Sequence, residues 1–196
     1  MTNYQKHIKQ IQSLKRKPTL LLHVCCGVCS VYPLIYLRKY FNITIYYANS
    51  NIYPYEEYNK RLEAVKSYLK MLNDDSIKII IPKYDNDAFN DIISVYKDEP
   101  EGGKRCYLCY ETRMKEAFAY ASKHKYEYCT TIMSISRRKN ADWINEIGEK
   151  LQLEYPDVKY LYADFKKADG ITINEKMNKD INLYCQNYCG CIYSLR

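Results

Sequence analysis

The chain has 196 residues, 47% of them hydrophobic, and a formal net charge of +7 at neutral pH. That length suits one domain spanning residues 1–196, and the apolar content with its dispersed charges excludes a disordered chain. No stretch approaches the roughly 20 apolar residues that cross a bilayer, and the basic segment MTNYQKHIKQIQSLKRKP lacks the apolar core of a secretory signal. The sequence therefore predicts a cytoplasmic protein without a membrane partner. Its nine cysteines are then kept reduced, and suit metal ligation or redox chemistry better than disulfides. The positive charge fits a phosphate-bearing partner such as RNA, and fits a merely basic soluble protein equally well.

In chain order, residues 3–17 have helical spacing through Ile8, Ile11 and Leu14, and Pro18 closes them. Thr19 to Val24 is a compact apolar run that reads as a buried strand, ending in Cys25-Cys26-Gly27-Val28-Cys29-Ser30 and a helix through Leu37. A strand over 42–47, a helix over 55–72 with Tyr58, Leu62, Val65 and Leu69 on one face, and a strand over 77–81 follow. Residues 86–96 suggest a short helix, 99–104 a loop, 109–124 a longer helix, 126–133 a strand, 140–153 a helix and 158–163 a last strand. This alternation predicts a doubly wound α/β domain with a parallel sheet, followed by an irregular or helical segment over 164–196.

Ligands collect at the carboxyl ends of the strands of such a sheet, where Cys25, Cys26 and Cys29 fall. Buried apolar cysteine is a sound reading for one isolated residue, and a poor one for three in a strand-to-helix turn. Cys106-Tyr107-Leu108-Cys109 is a C-x-x-C pair opening a helix, whose N-terminus favours thiolate; alone, the pair also suits a redox dithiol. In Cys189-Gly190-Cys191 the glycine allows a tight turn between two ligands. Seven grouped thiols exceed what one tetrahedral zinc takes, and a cubane cluster takes about four, so counting points to two adjacent metal centres. Cys129, inside a strand, and Cys185 read as outside that set, and His23 reads as a core residue.

The segments LLHVCCGVCS, YYANSNIYPYEEYNKR, RCYLCYETRM, TTIMSISRRKN, DFKKADG and QNYCGCIYS, in that order over roughly residues 20–194, resemble the cobalamin-independent epoxyqueuosine reductase family (QueH). The resemblance implies a fold like the adenine-nucleotide α-hydrolase group (the HUP fold), with Cys25 to Ser30 where a phosphate loop lies. ATP use is not implied, since cysteines stand where phosphate would be cradled. It also implies a 4Fe–4S cluster beside a mononuclear iron, and reduction of epoxyqueuosine at the tRNA wobble position, the last step of queuosine biosynthesis. The family does not call for cysteine at 129 or 185, and position 185 commonly holds arginine there.

Under this reading Cys25, Cys26, Cys106 and Cys109 hold the cluster, because both pairs come from helix starts. Cys29, Cys189 and Cys191 hold the second iron. Converting an epoxide to an alkene releases water and takes two electrons and two protons, so an external electron donor and a proton donor are needed. Asp164 and Tyr107 are the candidate catalytic groups, against the plainer readings of a helix-capping aspartate and a packed tyrosine. Asn49, Asn51, Glu57 and Arg61 are candidates for binding the modified base. Ser134, Ser136, Arg137, Arg138 and Lys139 form a basic loop suited to the phosphates of an anticodon loop, or simply solvated. Two other functions remain open. A cluster-dependent tRNA sulfur-transfer enzyme would want a Ser-Gly-Gly-x-Asp-Ser loop, and an iron or redox sensor would want a DNA-binding helix pair. Neither is found in the sequence. A zinc-stabilised RNA-binding module is separated by metal analysis.

Overall fold

The structure is a computed structural model and describes residues 1–195. Leu20, Leu21 and Leu22 are consecutive in β1 (Thr19–His23) and all fully buried, as a strand covered on both faces requires. β1 pairs in parallel with β2 (Asn42–Tyr46) on one side and β4 (Tyr128–Thr131) on the other. β3 (Lys78–Ile80) and β5 (Lys159–Tyr160) form the edges, giving an all-parallel sheet in the order β3-β2-β1-β4-β5. The expected doubly wound α/β fold is present.

Right-handed crossovers dictate where the helices go. Moving outward from β1, the chain runs through α2 (Gly27–Leu37) and α3 (Tyr55–Leu72) on one face. It returns through α4 (Asn86–Ile93) and α5 (Lys104–Lys123) to β4, then through α6 (Ala141–Glu154) to β5, so α5 and α6 cover the opposite face. The packing agrees: α2 lies against α3 and α7 (Gly170–Ile181), while α5 lies against α6. The approach of α2 to α3 is close because Gly27 has no side chain; a Cβ there would sit 2.8 Å from the Ala64 backbone.

Several boundaries differ from the sequence expectation, for local reasons. α1 (Asn3–Ser13), opened by a Thr2–Gln5 capping box, stops four residues early because Leu14 turns to extended backbone. α5 begins at Lys104 instead of 109, since the Arg105 guanidinium, buried to 4% exposure, binds the carbonyls of Tyr96, Lys97 and Glu99 and fastens the preceding loop to the helix start. β4 ends at Thr131, whose hydroxyl accepts from the Met133 amide and starts a 3-10 turn over Ile132–Ile135. β5, expected over 158–163, is an edge strand that pairs with β4 only at Lys159 and Tyr160.

β1 and β4 are neighbours whose connections leave in opposite directions. Their carboxyl ends therefore open a crevice, flanked by residues 24–29 and 132–139, where such folds bind ligands.

Candidate metal centre

Cys26 is the N-cap of α2 with extended backbone, which puts Cys25 and Cys26 at the mouth of the crevice and Cys29 within the first helical turn. The three thiol sulfurs lie within 4.8 Å of one another. Cys29, which the sequence expectation separates from Cys25 and Cys26, is thus their neighbour in space. The Gln186 amide donates to Cys26 Sγ at 3.1 Å. Cys25, Cys26, Cys29 and Cys189 line one cavity of about 590 Å3 with Asn51, Arg61, Arg113, Gln186 and the 136–139 loop.

The electrostatics favour thiolate at selected positions. Hydrogen bonding from Cys26 and Cys29 outweighs burial and holds Cys25 well below the ordinary thiol range, aided by Arg113 and Lys139. Its partners move the other way: the bond to Cys25 pushes Cys26 up to about 12, and Cys29 is raised too. The positive charge of Lys139, whose Nζ donates to Cys189 Sγ at 3.3 Å, lowers Cys189. Burial raises Cys106, and raises Cys109 to about 11.

Cys106 receives the Gly102 amide at 3.2 Å, so the loop before α5 presents an N–H to that sulfur. Cys109 lies one turn on, packed with Leu108, Phe89 and Ile93. Both thiols feel the charge of Cys189 and Cys191, which connects the second cysteine group to the third. Cys191 is buried and contacts Ser194 Oγ at 3.5 Å.

The remaining expected site residues divide. Asn51 is 2% exposed, lines the cavity and has a carbonyl oxygen without a hydrogen-bond partner among the described residues. Ser136, Arg137, Arg138 and Lys139 form its rim, with Arg137 paired to Glu175 at 3.0 Å. Asn49 lies behind, donating to the Val24 carbonyl at 2.8 Å and accepting from Arg113. Arg61 reaches the cavity wall, but its guanidinium is occupied by Glu57 at 2.7 Å, the Cys189 carbonyl at 2.9 Å and the Tyr188 carbonyl at 3.1 Å. Glu57 and Arg61 thus hold the C-terminal cysteine segment. Ser134 is fully buried beneath the loop, with Oγ accepting from the Phe165 amide. Asp164 lines a different cavity with Met1–Tyr4 and Asn140–Asp142. Tyr107 donates to Glu146 and receives Lys150 at the α5–α6 surface. Neither of these two expected proton donors lines the thiol cavity.

Cys129 is 1% exposed within β4, Cys185 is exposed, and His23 is fully buried between Thr131 Oγ1 at 2.8 Å and the Ala48 carbonyl at 3.1 Å. Sequence reading missed Arg113 and Gln186. Arg113 had a legible signal, four residues after Cys109 and so on the same helix face.

Thiol sulfur is a soft donor that selects iron–sulfur clusters, zinc or copper over hard cations, and the three-sulfur group fits that class. Among the described residues, no helix is long and apolar enough to cross a membrane. A family profile described as "Epoxyqueuosine reductase QueH" matches residues 20–196. Relatives called epoxyqueuosine reductase QueH include one from Staphylococcus epidermidis, 38% identical over 98% of this chain and 84% of that protein. Another, from Streptococcus pyogenes, is 33% identical over 99% of this chain and 78% of its own length. One from Thermotoga maritima is 32% identical over 90% of each. With the profile spanning nearly the whole chain and the cysteine groups all inside it, the chain belongs to the epoxyqueuosine reductase QueH family of oxidoreductases.

Proposed function

We propose that this chain reduces the epoxide of epoxyqueuosine in tRNA to the alkene of queuosine, using a 4Fe–4S cluster and an adjacent mononuclear iron. The observation that carries the reading is the trio of buried Cys25 and Cys26 and half-buried Cys29, with sulfurs within 4.8 Å, beside Cys189 on a cavity rimmed by cations, in a chain of this family. The assigned cluster ligands are Cys25, Cys26, Cys106 and Cys109; Cys29, Cys189 and Cys191 are assigned to the second iron. When bound, these groups supply single electrons and a Lewis-acidic site.

The protein's own residues do the rest. Arg137 and Arg138 are exposed at the cavity lip, where cationic side chains suit the phosphates of an anticodon loop. A wobble base is unpaired and is turned into a pocket at little cost, and the free carbonyl of Asn51 is an acceptor for its N–H or hydroxyl groups. Lys139, at the cavity rim, donates from Nζ to Cys189 Sγ at 3.3 Å and so sets a positive charge beside the thiols. The reaction consumes two electrons and two protons and releases water. An external cytoplasmic reductant provides the electrons.

The test is anaerobic incubation of the iron-loaded protein with epoxyqueuosine-bearing tRNA and dithionite, then mass spectrometry of the nucleosides. Loss of one oxygen from epoxyqueuosine only with iron present supports the reading. Unchanged nucleoside with an intact cluster refutes it and favours sulfur transfer or sensing.

A further inference from the structure

Arg113 lies one helical turn beyond Cys109 on α5 and is 2% exposed. It lines the thiol cavity. A buried guanidinium ordinarily faces a carboxylate, because an uncompensated charge in apolar surroundings is costly. Yet none of the ion pairs among the described residues includes Arg113. Glu116, three residues on, feels the Arg113 charge without pairing to it and accepts from the Tyr46 hydroxyl at 3.1 Å, while Glu57 is taken by Arg61 and Tyr184. One Arg113 nitrogen donates to Asn49 Oδ1, whose amide in turn holds the Val24 carbonyl just before Cys25. Its Nε is buried without a partner.

The cavity this cation lines is walled by sulfur: Cys25, Cys26, Cys29 and Cys189 line it too, and Cys109 stands four residues before Arg113 on the same face of α5. Lys139 shares that position but bonds directly to Cys189 from the loop rim. Thiolate-ligated clusters carry net negative charge, and their potentials depend on net charge, hydrogen bonds to sulfur and exposure.

We propose that Arg113 is the fixed counter-charge of the metal centre, a positioning residue that stabilises the negative charge added on one-electron reduction and so keeps the reduction potential within reach of the electron donor. The inference rests on the iron–sulfur reading above. Asn49 orients the guanidinium by linking it to the backbone that carries Cys25. No proton moves on Arg113; the electron comes from the reductant and resides on the centre.

The test reconstitutes wild type, R113K, R113Q, R113M and R16Q anaerobically. Iron, sulfide and the midpoint potential are measured, the last by dithionite titration followed by electron paramagnetic resonance. R16Q removes the same charge at the opposite ends of the strands, where Arg16 pairs with Glu127 at 2.6 Å. The expected result is a more negative potential in R113Q and R113M, with R113K and R16Q close to wild type. Full cluster at unchanged potential in R113Q and R113M overturns the inference, as does a shift in R113K equal to that in R113Q. If R113Q and R113M fail to hold iron, R113K decides: retention supports the counter-charge, and loss in all three overturns it in favour of shape alone. A wild-type protein that takes up no iron–sulfur cluster overturns the metal-centre reading itself, and the inference with it.

Discussion

Replacing Arg61 with methionine tests how the C-terminal cysteines are held. The Arg61 and Glu57 side chains are 3% and 8% exposed, and their ion pair spans 2.7 Å. The same guanidinium binds the Cys189 and Tyr188 carbonyls and lies over the Tyr188 ring at 5.1 Å. Removing one partner of a buried pair costs roughly 3–5 kcal/mol, because the other charge is left uncompensated. Here the loss falls first on residues 188–191, whose other ties include the Tyr53 amide on the Gly190 carbonyl at 2.8 Å. Each 1.4 kcal/mol is a factor of ten, so opening of this segment should rise roughly 10²- to 4 × 10³-fold. Hydrogen exchange and maleimide labelling of Cys189, resolved by peptide in the metal-free protein, read that rise. The double variant E57Q/R61M should open less than R61M, since it leaves no orphaned carboxylate. Exchange in R61M within twofold of wild type would refute the clamp, and so would a double variant as open as the single one.

Cys106→Ser should abolish most cluster absorbance and all reductase activity; a variant keeping both breaks the ligand assignment. By contrast, Cys129→Val should take up iron normally and lose less than about 1.5 kcal/mol in a denaturant melt, as a near-isosteric core swap. Gly27→Ala forces a methyl to 2.8 Å from the Ala64 backbone and should cost roughly 1–3 kcal/mol by overpacking. An unchanged melting temperature would show that α2 and α3 part freely. His7 is buried between the Tyr162 carbonyl and the Tyr36 hydroxyl, and burial lowers its pKa from 6.5. Below that pH the unfolded chain binds a proton that the folded one resists. Stability is therefore fully present above pH 6.5 and falls on acidification by up to about 1.4 kcal/mol per pH unit. His7→Gln should flatten that slope, and an identical slope would contradict the assignment.

The parallel sheet and its switch point were legible because the signals were local: three successive leucines ahead of a cysteine turn, and strand–helix alternation on either side. The start of α5 was not, because it depends on Arg105 reaching back to carbonyls six to nine residues earlier. The grouping of Cys25, Cys26 and Cys29 follows from their spacing, and their meeting with Cys189 depends on a long return across α2 that no local pattern encodes. Glu57 and Arg61 looked like substrate groups because they are polar and near a strand end. Their roles as a clamp became visible only once the C-terminal segment lay on them. Asp164 follows a strand as expected, but that strand is at the sheet edge and its end opens toward α1.

The most direct test of the central claim is an electron count. Under single turnover, with epoxyqueuosine-bearing tRNA and titrated dithionite, wild-type protein should form one queuosine for every two electrons delivered, and Cys106→Ser none. Queuosine formation at any other electron ratio, or electrons consumed with the epoxide intact, would contradict the account.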